Sequence, residues 1–256
     1  MKKSLKIFAL GATILPLGLL SACGGQLDFN SSVNVNNAGV YSEVSAEDFT
    51  SYVESTTEGQ PAVNSNLLNY KLVYSVDMDG TIAKLTGIVQ QNQDETTEMA
   101  FKVTMSGEGN SANYSLYFPN SDYFYADLDV RYASEASGVN ISGKYKFDAQ
   151  NMDNEMSEIF SIITVREALN IDIVLNLVSQ NGIEVSMASR DDKVNYKFVK
   201  TNSQGEVELT YYALYENNSL VAMKSESGKN FISIEYYDGG IEYPDFSGYK
   251  DFSLIQ

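Results

Sequence analysis

The chain has no histidine and no tryptophan, and only one cysteine and four prolines among 256 residues. Without histidine there is no usual general base, no partner for a catalytic serine and no common zinc ligand. A lone cysteine excludes an internal disulfide, and once modified it leaves no thiol nucleophile. Basic residues are also scarce: Lys and Arg total 17 against 34 Asp and Glu, for a formal charge of −17. A surface of that sign repels phosphate backbones and anionic headgroups, so neither nucleic acid nor a basic membrane patch is expected. A phosphate-cradling glycine loop is missing as well, because Gly107-Glu108-Gly109 ends a strand pattern and opens no helix. Asp77-Met78-Asp79-Gly80 begins like a calcium loop, but Thr81 to Leu85 supplies no acid, so the stretch reads as a hairpin turn. Carboxylates are plentiful enough for a glycosidase-type acid pair, yet no pattern places one. The chain does not read as an enzyme.

The N-terminus is informative in what it contains. Lys2, Lys3 and Lys6 precede an apolar run from Ile7 to Leu20, the order of a secretory signal peptide. The run is roughly 14 residues, short of the ~20 that a spanning helix needs. Leu20-Ser21-Ala22-Cys23 closes it. This tetrad resembles a bacterial lipobox, and the resemblance implies a diacylglyceryl group on the Cys23 thiol and cleavage between Ala22 and Cys23. Each buried methylene contributes ~0.8 kcal/mol, so two or three acyl chains hold a protein on a bilayer essentially for good. The expected product is a lipoprotein anchored by Cys23 on the extracytoplasmic face of the cell membrane, with that covalent acyl lipid and no other cofactor. Loss of residues 1–22 removes three lysines and no acid, which makes the chain still more acidic.

Residues 23–44 are rich in Asn, Ser and Gly and read as a tether. Residues 45–256 read as a single domain. Ser45-Ala46-Glu47-Asp48 has the cap and the first-turn acids of a helix start, and Phe49, Tyr52, Val53 and Thr56 fall on one face before Gly59 and Pro61. Period-two patterns follow: Leu68–Val76, Ile82–Val89, Met99–Met105, Tyr114–Phe118, Tyr123–Val130 and Ile141–Phe147. The period then changes, and Met152, Met156, Ile159, Phe160 and Ile163 form the stripe of a helix expected to reach about Leu169. Strand patterns resume at Ile171–Leu177, Ile183–Met187, Val194–Phe198, Val207–Tyr215, Leu220–Ser225 and Phe231–Tyr237, with Asn181-Gly182, Asp191-Asp192 and Asn217-Asn218 as turns.

The expected fold is mainly β with some α: a large curved antiparallel sheet of about 11–12 strands, an open half-barrel, with an N-terminal and a mid-chain helix on its concave side. So many strands do not stay flat, and two helices cannot cover both faces. This order of elements, with Asn217-Asn218-Ser219-Leu220-Val221 before a late strand pair and Ile241-Glu242-Tyr243-Pro244-Asp245-Phe246 at the end, resembles the lipoprotein-localisation-factor fold and the related mycobacterial-type lipoprotein carriers. The tryptophan that often marks a strand there is absent. The resemblance implies an apolar cavity for acyl chains. Met156, Phe160 and Ile163 on the mid-chain helix, with Tyr211 and Tyr215 on a late strand, are candidate lining residues. The same residues also suit plain helix-on-sheet packing. Two functions are therefore expected to compete. One is binding or carriage of a hydrophobic, acyl-lipid ligand. The other is a surface-interaction or structural lipoprotein with a protein partner and no small ligand.

Overall fold

The computed structural model describes residues 40–57, 69–78, 80–91, 97–107, 110–120, 122–132, 139–148, 175–176, 178, 182–237 and 240–252. The residues expected to form the signal segment and lipobox, including Ala22 and Cys23, lie outside them, as do Met156, Phe160 and Ile163 of the expected mid-chain helix.

Most described residues are in strands: β1 (Ser42–Glu43), β2 (Asn69–Met78), β3 (Thr81–Gln91), β4 (Thr97–Gly107), β5 (Asn110–Phe118), β6 (Tyr123–Tyr132) and β7 (Val139–Asp148) come first. Then follow β8 (Ile183–Arg190), β9 (Lys193–Thr201), β10 (Val207–Glu216), β11 (Ser219–Ser227), β12 (Asn230–Tyr237) and β13 (Lys250–Asp251). One long helix, α1 (Ala46–Thr57), is present among the described residues. Of the strand expected at Ile171–Leu177, the described residues Leu175 and Asn176 are helical, as is Val178, and the other residues of that stretch lie outside the described ones. Ile171, Val174, Leu175 and Val178 also step by three and four, and short apolar runs carry both periods at once. No helix among the described residues is long and apolar enough to cross a membrane.

The chain divides into two compact units. One comprises Ser31–Lys71 with Val165–Asp238, and the other holds Leu72–Thr164 with Gly239–Gln256. In the first, the ladder runs β1-β8-β9-β10-β11-β12, antiparallel at each described pair. Its turns follow the sequence chemistry. Asn217 and Asn218 both have positive φ, 50° and 62°, the two left-handed residues that a two-residue hairpin of this twist requires. Ser45 and Asp48 form the reciprocal cap of α1. The Asp48 amide donates to Ser45 Oγ at 3.0 Å, and the Ser45 amide donates to Asp48 Oδ2 at 3.0 Å. The helix then buries Phe49 and Val53 on the sheet. The Phe49 ring meets Tyr196 at 4.8 Å and Phe198 at 4.7 Å, both edge-on. Each such pair adds ~0.5–1.5 kcal/mol beyond the area buried.

In the second unit the order is β2-β3-β4-β5-β6-β7-β13, with β13 parallel to β7 and β3 through β7 antiparallel. The hairpin between β2 and β3 turns at Gly80 (φ 92°), whose amide donates to Asp77 Oδ1 at 3.0 Å. Asp77 is thus a turn residue.

Candidate functional site

Register partners share a face of a sheet, so the β3–β7 ladder sorts its own residues. One face carries Ala83, Leu85, Gly87 and Val89 on β3, opposite Met105, Val103, Phe101 and Met99 on β4. The same face continues through Ala112, Tyr114, Leu116 and Phe118 on β5, then Val130, Leu128, Ala126 and Phe124 on β6, and Ile141, Gly143, Tyr145 and Phe147 on β7. None of these residues is charged. The other face holds every charged residue of the ladder's paired positions, among them Lys84, Glu98, Lys102, Asp127, Asp129, Arg131, Lys144 and Lys146, together with hydroxyl and amide residues and the apolar Ile82, Ile88 and Ala100. Charge is therefore confined to one side of the ladder, although that side also buries Thr86, Ile88, Ala100 and Tyr117.

Burial is graded across the apolar face. Ala83, Leu85, Phe101, Val103, Leu116, Phe118, Phe124 and Ala126 are buried. Toward one corner, Met105, Ala112, Tyr114, Leu128, Val130 and Ile141 are only half-buried, and Gly143 is exposed. Phe101 lies against Gly87 so closely that a Cβ there would collide with its ring. Rings then form a ribbon: Phe118 stacks on Phe124 at 5.4 Å, and Phe124 on Phe147 at 4.5 Å with 7° between planes. Phe252 continues it on Phe147 at 4.7 Å and meets Tyr145 edge-on at 5.7 Å. Burial pushes the Tyr114 hydroxyl pKa far up, so the phenol stays neutral. Nothing ionic on this face would anchor a charged ligand. What it offers chemically is dispersion, exclusion of water and a few phenol donors.

The segment after Gly240 crosses the polar face of the same ladder. The Ile241 amide donates to Gln90 Oε1 at 2.9 Å, and Tyr243 Oη donates to the Phe118 carbonyl at 3.2 Å. Phe246 stacks on Tyr125 at 3.8 Å and 7°. Tyr249 donates to Asp127 Oδ2 at 3.2 Å, with Lys144 over its ring at 5.3 Å. Burial, and then the Asp127 charge, raise the Tyr249 pKa. β13 next pairs with Tyr145 and Lys146, and Phe252 arrives on the apolar face. This strap was not legible in the sequence beyond the Tyr-Pro-Asp-Phe ending.

The expected lining tyrosines belong to the other unit and do not share one environment. Tyr215 is 2% exposed, with Tyr52 edge-on at 5.2 Å and Tyr196 at 6.3 Å, so it is core beneath α1. Its buried hydroxyl has no hydrogen-bond partner among the described residues. Burial raises its pKa, and burial likewise raises Tyr196 to about 12. Tyr211 is half-buried, two residues from Ala213 on the same face. Beside α1, a shallow groove of about 280 Å³ is lined by Ala46, Glu47, Thr50, Ser51, Leu175 and Val178.

On the opposite face of that ladder, Tyr41 packs against Tyr212, Leu214 and Ala222. Its hydroxyl accepts from Asn195 Nδ2 at 2.7 Å, and Asn195 is fully buried. The chain then passes the β8 edge as β1 and begins α1 on the other side. Among the described residues no three His, Cys, Asp or Glu side chains converge as a metal site. No family model matches the chain, and neither does any curated protein.

Proposed function

We propose that the protein is a lipid-anchored extracytoplasmic lipoprotein that binds or carries a hydrophobic ligand of the acyl-lipid class. One observation carries the ligand part: the β3–β7 face holds no charge over its whole described extent, and one corner of it is only half-buried. Contiguous apolar residues left partly uncovered on an uncharged face suit association with an apolar ligand. The anchor part rests on the lipobox at Leu20–Cys23 and the apolar segment before it. In this reading the sheet is the curved half-barrel expected from the order of elements, with its helices on the concave side. Acyl chains lie along the apolar face, and their polar ends reach the corner near Val130 and Gly143. Cys23 carries the lipid, the protein performs no catalysis, and its lasting partner is the membrane.

The test is native mass spectrometry with lipid extraction, on protein purified without detergent. The expected result is a retained hydrophobic mass that is lost in Val130→Glu, a half-buried position on the apolar face, in protein whose far-ultraviolet circular dichroism is unchanged. A protein that stays ligand-free after incubation with lipid vesicles would refute the ligand reading. The alternative of a surface protein with a protein partner would then take its place.

A further inference from the structure

We infer that Tyr145 selects the polar end of the ligand: its hydroxyl accepts a hydrogen bond from an uncharged head that carries hydroxyl donors beside the acyl ester, as in a partial acylglycerol. This rests on the ligand reading above. Tyr145 stands on the apolar face of β7 opposite Ala126 of β6, and Gly143, two residues earlier, stands opposite Leu128. The half-buried Tyr145 ring leans back along its strand over Gly143. A Cβ at Gly143 would lie 2.8 Å from the Tyr145 hydroxyl oxygen and 2.9 Å from Cζ, so only a residue without a side chain leaves the ring this place. The φ of Gly143 is 143°, in the region that favours glycine, and the backbone thus reserves the position for that residue. The leaning ring carries Tyr145 Oη to the Ser142 carbonyl, to which it donates at 3.1 Å in an exposed hydrogen bond. A phenol oxygen has one proton to give, and with that proton on Ser142 it meets a ligand through its lone pairs, as an acceptor. This acceptor stands at the corner that the exposed Gly143 leaves open. A carboxylate or phosphate head brings only acceptors to it, and meets a chain of formal charge −17. An ammonium head finds no carboxylate among the described residues of this face. A glycerol hydroxyl supplies the needed proton and brings no charge.

The test uses the full chain carrying Cys23→Ser, so that no acyl group of its own competes, with and without Tyr145→Phe. The probes are 1-monopalmitoylglycerol and methyl palmitate, which share the acyl chain and ester and differ in the head hydroxyls. Each is equilibrated between protein and phosphatidylcholine vesicles, and the share on the protein is counted by extraction. Comparing one lipid on two proteins cancels that lipid's own affinity for the vesicle. Tyr145→Phe removes one oxygen at an exposed site and should weaken 1-monopalmitoylglycerol about 2- to 12-fold, the range that one neutral hydrogen bond gives. Methyl palmitate should bind both proteins alike, which a merely damaged face would not show. Equal losses for the two lipids, or no loss for either, overturn the role of Tyr145 and leave the ligand reading intact. No binding of either lipid to the protein with Tyr145 in place overturns both.

Discussion

Phe49 fastens α1 to its sheet, and its removal has a calculable effect. The side chain is fully buried, and two rings meet it edge-on at 4.8 and 4.7 Å. A buried Phe→Ala change costs about 3–5 kcal/mol through lost transfer energy and the cavity left behind. Phe49→Leu keeps most of the volume and forfeits the two ring pairs, each of ~0.5–1.5 kcal/mol, so it should cost about 1–3 kcal/mol. Urea unfolding followed by far-ultraviolet circular dichroism gives the difference as a midpoint shift of about 1–3 M for the alanine variant, with an unchanged slope. Amide exchange in β9 reports on the same contacts locally and should rise in proportion. A loss under about 1 kcal/mol for Phe49→Ala, or equal losses for leucine and alanine, would refute the argument that ring packing docks α1.

Three further outcomes are expected. Gly87→Ala drives a methyl into the Phe101 ring and should destabilise by about 1–3 kcal/mol in the same unfolding assay, whereas Gly87→Ala with Phe101→Leu should recover most of it. Tyr41→Phe leaves the buried Asn195 carboxamide without its partner and should cost about 1–3 kcal/mol, while a substitution at Val40, which is 93% exposed, should cost almost nothing. The Asp48 carboxyl is held below its ordinary pKa, first by the Ser45 hydroxyl and then by the Ser45 amide. A depressed folded-state value means that its stabilisation is present above the ordinary carboxylate range and fades as pH falls through the lowered value. Ser45→Ala should return the Asp48 midpoint in a carbon-13 carboxyl titration toward the ordinary value, and an unmoved midpoint would refute the cap.

The strands were legible because each buries one face. Met99, Phe101, Val103 and Met105 alternate with Glu98, Ala100, Lys102 and Thr104, and that alternation alone places β4 and names its apolar side. Capping chemistry at Ser45 and turn chemistry at Asn217-Asn218 are local, and both appeared where the residues placed them. Leu175 and Val178 misled because a run of aliphatics fits two periods, and neighbours decide between them. Tyr211 and Tyr215 suited either a cavity wall or plain packing, because alternation gives only a side and not what lies over it. At Tyr215 that cover is α1, through Tyr52. β1, β13 and the strap were hidden for a different reason. A two-residue strand has no period, and rings such as Phe246 and Phe252 bind across long sequence distances to Tyr125 and Phe147.

The passage of Tyr41 and β1 around the β8 edge has a mechanical consequence. A pull on the chain from the N-terminal side meets Tyr41 first and then the two β1 residues paired with Met187 and Ser186. Those pairs lie at the outermost position of their ladder, and the Val44 amide adds one more bond, donating to the Val185 carbonyl at 3.1 Å. Tension on the N-terminal chain is therefore relieved at a short, renewable fastening, and it reaches α1 and the aromatic core only after Tyr41 has left Asn195.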